Sequence, residues 1–208
     1  PPARLHVDHA LTDHGTMHGI IEFYTAATKA GVKPILGIET YLAAHGMKDR
    51  DPNKDRSSTH LLLLAENLTG YRNLLKLASA AQLDGFYYYP RIDHDLLAQH
   101  SEGLIATTGC MASDISRTIL EQGEDAGRKK LDWYYDVFGA DNFFMELQQH
   151  NIPELETLNK TLLSLGPRYK ARYIATNDVH YINQSDSRLQ DVLLAIQTNA
   201  NLNDPKRM

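Results

Sequence analysis

Residues 31–41 read Gly31-Val32-Lys33-Pro34-Ile35-Leu36-Gly37-Ile38-Glu39-Thr40-Tyr41, and from Ile35 to Ile38 no polar side chain interrupts the run. A strand wetted on one face alternates apolar and polar residues, whereas a continuous run marks a strand covered on both faces. Leu61-Leu62-Leu63-Leu64 carries the same signature. Working outward, short apolar runs predict strands over 9–12, 35–41, 60–65, 104–107, 143–147 and 172–176. Between them, helical periodicity predicts helices over 17–30, 69–83, 93–99, 114–121, 125–138, 154–165 and 185–198, with Thr69 placed to cap the second. Strand–helix alternation of this kind predicts parallel βα units. Six such strands suit either an open doubly wound sheet or a barrel.

The 208 residues are 42% hydrophobic and 23% charged, the balance of a globular chain with a substantial core. No apolar run approaches the roughly 18 residues of a membrane span, and the first residues lack the apolar stretch of a secretory signal. The single cysteine, Cys110, excludes an internal disulfide and fits a reducing, cytoplasmic setting. Net charge is −5, from 21 Lys+Arg against 26 Asp+Glu. A domain that holds nucleic acid by its own field is usually basic. Any DNA contact here is therefore expected to be local, metal-mediated or made by a partner. Residues 44–59 are polar, charged and aperiodic, and predict a long mobile surface loop. Residues 199–208 read as the start of a linker, leaving 1–198 as the domain.

Ligand-type side chains recur where predicted strands end. Asp13 and His14 follow the first, Glu39 lies in the second, Cys110 follows the fourth, Glu146 lies in the fifth, and Asp178 and His180 follow the sixth. Parallel βα architectures gather strand C-termini on one face, so distant residues meet. Imidazoles, carboxylates and one thiol form a hydrolytic donor set suited to Zn²⁺, Mn²⁺ or Fe²⁺. Each has a plain alternative. Asp-His-Gly is a common turn, Asn177-Asp178-Val179-His180 can cap a helix, and a lone cysteine is often a small core residue. Glu39 and Glu146 within apolar strands resist such readings, because a buried carboxylate needs a partner. His60 opens its strand instead of closing it, against the pattern. His6, His18, His45, His94 and His100 are expected to be surface or satisfied histidines.

The stretches Ala10-Leu11-Thr12-Asp13-His14-Gly15, Gly31 to Tyr41, His60 to Asn67, Gly70-Tyr71-Arg72-Asn73-Leu74, Gly109-Cys110, Met145-Glu146-Leu147-Gln148 and Ala175 to Tyr181 resemble, in order, the PHP (polymerase and histidinol phosphatase) domain of bacterial replicative DNA polymerase III alpha subunits. The resemblance implies an α/β fold, a distorted seven-stranded (β/α) barrel with a metal cluster at its C-terminal face. It implies His14, Glu39, His60, Cys110, Asp178 and His180 as metal ligands, with Asp13 and Glu146 as secondary candidates. The family begins with a His-x-His motif well before its Asp-His-Gly, whereas only 12 residues precede Asp13 here. The first strand of the barrel is thus expected to be missing from this chain, and His6, Asp8 and His9 take no ligand role.

The function this implies is metal-dependent 3′–5′ exonuclease or phosphoesterase chemistry in the N-terminal domain of a DNA polymerase. Up to three divalent ions are expected in the intact site, with Mg²⁺ serving polymerisation in the parent chain. The implied partners are a DNA primer 3′ end, the polymerase domain of the same chain, a separate proofreading exonuclease and the sliding clamp, with no membrane. Two alternatives stand beside it. One is a non-catalytic scaffold that docks a proofreading subunit, the other a free-standing phosphatase.

Overall fold

A computed structural model describes residues 8–204. In chain order these form β1 (Asp8–Leu11), α1 (Ile20–Lys29), β2 (Lys33–Ala43), β3 (Ser58–Ala65), α2 (Leu68–Leu83), β4 (Phe86–Tyr87), β5 (Tyr89–Ile92), α3 (His94–Gln99), β6 (Leu104–Thr107), α4 (Asp114–Gln122), α5 (Glu124–Asn142), β7 (Phe143–Gln148), α6 (Pro153–Tyr169), β8 (Arg172–Thr176) and α7 (Ser187–Thr198). Two compact units result, the first ending at Thr176 and the second beginning at Asn177. The second unit contains a 3₁₀ turn over Gln184–Asp186 and α7. Residues 205–208 of the expected linker, and His6, lie outside the described residues.

The first unit is built on a curled seven-strand path, β4-β5-β2-β3-β6-β7-β8, that forms a half-barrel, while β1 pairs with the early part of β2. The seven-stranded α/β expectation therefore holds. The expectation of uniformly parallel units does not. β1–β2, β2–β5, β6–β7 and β7–β8 are parallel, but β3 runs antiparallel to both β2 and β6. The cause is local. A parallel partner needs a crossover element, and residues 44–57 between β2 and β3 contain no helix or strand, so the chain doubles back.

Period-2 geometry divides β2 between two tasks. Ile38, Thr40 and Leu42 are buried and pair with Leu63, Leu61 and Thr59, while Glu39 and Tyr41 point to the opposite face. The core behind the sheet collects Ile38, Leu42, Leu61 and Leu63 with Leu74 and Leu77 of α2, Leu104 of β6 and Leu158 and Leu162 of α6. α2 is capped by Asn67, whose side chain accepts from the Gly70 amide at 3.1 Å, and not by Thr69 as expected. At Gly70 a β-carbon would stand 1.7 Å from the Gly103 carbonyl oxygen, so only glycine lets the helix start lie on that turn.

Residues 44–57 are not the mobile loop their composition predicts. Arg91 of β5 is fully buried. Its guanidinium donates to the carbonyls of Asp55 (2.9 Å), Met47 (3.1 Å) and Asp49 (2.9 Å), holding both limbs of the excursion. The Met47 amide donates to Asp93 at 3.0 Å, and Asp55 pairs with His45 at 2.9 Å. An aperiodic segment is ordered here by a cation supplied from outside it.

Candidate metal centre

The reversal of β3 removes the difficulty posed by His60. Because β3 runs against β2 and β6, its first residues lie where those strands finish. His60 sits opposite Tyr41, two residues beyond Glu39. The His60 Nδ1 atom is 2.8 Å from Glu39 Oε1. His14 arrives from the connection after β1. Its neighbours extend β2: the Glu39 amide donates to the Asp13 carbonyl at 3.1 Å, and the Gly15 amide donates to the Glu39 carbonyl at 2.9 Å. His14 Nε2 then lies 3.6 Å from Glu39 Oε2. Gly15 makes this turn possible. Its φ is +65°, and a β-carbon there would meet Pro90 Cγ at 2.7 Å and Tyr41 Cε2 at 2.9 Å.

Cys110 completes the group. It lies between β6 and α4, on a connection clipped to β3 by the His60 amide donating to the Ala112 carbonyl at 3.0 Å. Its Sγ is 3.8 Å from Glu39 Oε1 and 3.9 Å from His60 Nδ1. One donor atom each from His14, Glu39 and His60 falls within 4.8 Å of the others. These side chains are 37%, 13% and 24% exposed, so the cluster is open on one side. Two imidazoles, a carboxylate and a thiol, partly shielded and open to one face, fit a divalent cation.

The other candidates are placed differently. Asp13 contributes through its backbone carbonyl to β2. Glu146 is buried, and its carboxylate accepts from Thr107 Oγ1 (2.6 Å), Gln148 Nε2 (3.0 Å) and the Thr176 hydroxyl. Thr107 also takes the Gly109 amide at 3.1 Å. Glu146 thus ties the ends of β6, β7 and β8 together. Asp178 and His180 belong to the second unit. Asp178 has φ +50°, and His180 Nδ1 is 2.7 Å from the Asp178 carbonyl oxygen.

Two residues near the cluster had no place in the sequence reading. Tyr41 has its ring 5.2 Å from that of His60 and 6.0 Å from that of His14. Burial, then the neighbouring Tyr89 and Glu39, push its phenol above the usual value, so it remains a protonated donor at neutral pH. Its position two residues after Glu39 on one strand face was the available signal. Asp114, at the start of α4, accepts from Lys130 (3.0 Å) and Tyr134 (3.1 Å) and pairs with His94 (3.2 Å), which packs edge-on against Trp133 at 4.6 Å. Burial raises the Asp114 carboxyl, but the hydrogen bond from His94 and the Lys130 charge outweigh it and hold the group below the usual range. This network fixes the helix that follows the Cys110 connection.

Residues 6–150 match the PHP domain family. Curated relatives named DNA polymerase III subunit alpha include those of Thermus aquaticus, 46% identical over 95% of this chain, and Borreliella burgdorferi, 44% identical over 96%. That of Deinococcus radiodurans is 42% identical over 95%. The chain spans only 15–17% of these relatives' lengths. A solved structure provisionally described as a metal-dependent phosphoesterase, from Bifidobacterium adolescentis, superposes with a TM-score of 0.47 at 18% identity, covering 86% of this chain and 78% of that one. Among the described residues no helix is long and apolar enough to cross a membrane.

Proposed function

This chain belongs to the PHP domain family, and we propose that it is the phosphoesterase part of a bacterial replicative DNA polymerase III alpha subunit, cleaving the terminal phosphodiester of a primer in the 3′–5′ direction. The observation that carries the reading is the convergence of His14, Glu39, His60 and Cys110 on one rim of the sheet. These four are the proposed ligands for Zn²⁺, Mn²⁺ or Fe²⁺. Asp178 and His180 join the proposal through their resemblance to the family motif, not through geometry.

A bound divalent cation supplies Lewis acidity toward a phosphoryl oxygen and makes hydroxide available near neutral pH. The chain's own residues do the rest. Glu39 orients both imidazoles through its two oxygens, and its charge favours a cationic occupant. Cys110 adds a soft donor from the connection after β6, on the same rim. Tyr41, kept protonated, offers a hydrogen bond to a phosphate oxygen beside His60. The net reaction adds water across the phosphodiester, leaving a 3′-hydroxyl on the shortened strand and a released nucleoside 5′-monophosphate.

The test is metal content and degradation of a mispaired primer end, measured together on the full-length protein and on its His60→Ala and Cys110→Ser variants. The reading requires that both substitutions lower bound metal and nuclease activity together. Undiminished nuclease activity in variants free of other nucleases would overturn it.

A further inference from the structure

We propose that Tyr88 and Tyr89 form a stacking platform for the bases of an unpaired nucleic-acid end, feeding the metal cluster; the inference rests on the phosphodiester reading above. The two tyrosines belong to the β4–β5 hairpin, in which Phe86 pairs with Pro90 and Tyr87 with Tyr89. Tyr88 alone forms the tip, at φ +60°, a left-handed conformation that disfavours residues other than glycine. The three consecutive tyrosines have different surroundings. Tyr87 is half-buried beneath the Arg91 guanidinium, 5.2 Å from its ring centre, and anchors the hairpin. Tyr88 and Tyr89 remain 54% and 41% exposed.

These exposed rings are continuous with the candidate centre. The Tyr89 ring lies 4.7 Å from that of Tyr41, which in turn lies 5.2 Å from that of His60. A base stacked on Tyr89 is therefore one aromatic ring away from the ligand cluster. The hairpin also has a cation at hand. Arg56 sits over the Tyr88 ring at 5.3 Å, on the 44–57 segment that Arg91 pins in place. Exposed Lys48, Arg50 and Lys54 share that segment with exposed Asp49 and Asp51.

This combination selects the ligand. Exposed π faces with an arginine are the elements with which proteins hold single strands without reading sequence. Across residues 44–57 four Lys and Arg meet three Asp, Asp55 included, and this near-balance makes phosphate attraction weak, in keeping with a chain of net charge −5. Stacking must then supply most of the hold, and stacking needs bases whose faces are free. A paired duplex end buries those faces, and a frayed or mispaired one exposes them. The platform thus gives the site a preference for unpaired termini with no contact to a base edge.

The experiment uses the full-length protein and a short DNA strand carrying 2-aminopurine at its 3′ end, with a chelator present to prevent hydrolysis. Stacking on an aromatic side chain quenches this base. Quenching is expected with the single strand and not with the same strand paired to a complement. Tyr88→Leu and Tyr89→Leu should each weaken binding by about 5- to 100-fold, and Tyr89→Phe, which keeps the ring, should retain it. Circular dichroism confirms that each variant is folded. Absence of quenching by the wild type overturns the proposal, as does equal binding by the leucine variants or loss of binding in Tyr89→Phe. Calorimetric Mn²⁺ titration of the wild type beside His60→Ala, in which the binding lost by the variant reports the cluster, separates the two readings. Metal binding without quenching removes the platform alone, and quenching without metal binding upholds the platform while removing the phosphodiester reading.

Discussion

His60 and Glu39 meet at 2.8 Å although one lies near the start of its strand and the other beyond the middle of its own. Antiparallel pairing brings them together. In a parallel arrangement the start of β3 would lie at the far end of the sheet from the other donors.

The first expectation follows from that contact. Glu39 bridges both imidazoles, so Glu39→Gln removes a ligand and loosens the orientation of two others. Metal affinity should fall by at least about 100-fold, as read by calorimetry with Mn²⁺ or Zn²⁺. Cys110→Ser should act more selectively, abolishing the thiolate charge-transfer band of the Co²⁺-loaded protein while leaving weaker binding.

Glu146 gives a contrasting prediction. Its oxygens are engaged by Thr107, Gln148 and Thr176, so Glu146→Ala leaves buried donors without an acceptor. A loss of about 3 kcal/mol in urea denaturation is expected. Glu146→Gln keeps an acceptor and should cost less. If Glu146→Ala instead left stability unchanged and abolished metal binding, Glu146 would be a ligand and not a tie between strand ends.

Arg91 predicts a local effect. Arg91→Ala leaves the carbonyls of Met47, Asp49 and Asp55 unpaired and should cost about 3 kcal/mol. It should also free residues 44–57, so trypsin should cut at Lys48, Arg50, Lys54 or Arg56 much faster than in the wild type. Arg91→Lys should rescue little, because an ammonium cannot span three carbonyls as a planar fork does.

Asp114 predicts a dependence on pH. Its folded carboxyl titrates below its value in the unfolded chain. Its contribution is therefore complete above the unfolded value, near 4, and is lost as pH falls through the folded one. Asp114→Asn should be less stable at neutral pH, and its urea midpoint should change less between pH 5 and pH 2 than that of the wild type. Parallel acid limbs for the two proteins would assign the loss to other carboxylates.

Much of this architecture was legible in the residues. β6 and β8 fall on the expected 104–107 and 172–176, since short apolar runs bounded by turn residues leave little freedom. β5 was not legible, because Pro90 and Arg91 inside a four-residue strand read as breaks in any pattern. Nor does a strand's sequence state its direction. Only the absence of a crossover helix between β2 and β3 could have revealed the reversal. His60 departs from the strand-end pattern for that reason, and an aromatic such as Tyr41 in a strand carries no sign of a site until its neighbours are placed. His14, Glu39, His60 and Cys110 were each named from sequence and resemblance, yet their convergence depends on backbone links, such as that from His60 to Ala112, which no motif records.

The reversal of β3 also bears on the order in which the chain assembles. Of the strand pairings that join ligand-bearing elements, β2 with β3 closes over the short 44–57 connection, whereas β6 reaches β3 only after α2, β4, β5 and α3 have been traversed. Short closures form faster than long ones. During refolding, β2 and β3 amides should gain protection from hydrogen exchange before those of β6. A cation present from the outset then meets Glu39 and His60 as a preassembled pair, and the thiol of Cys110 arrives last.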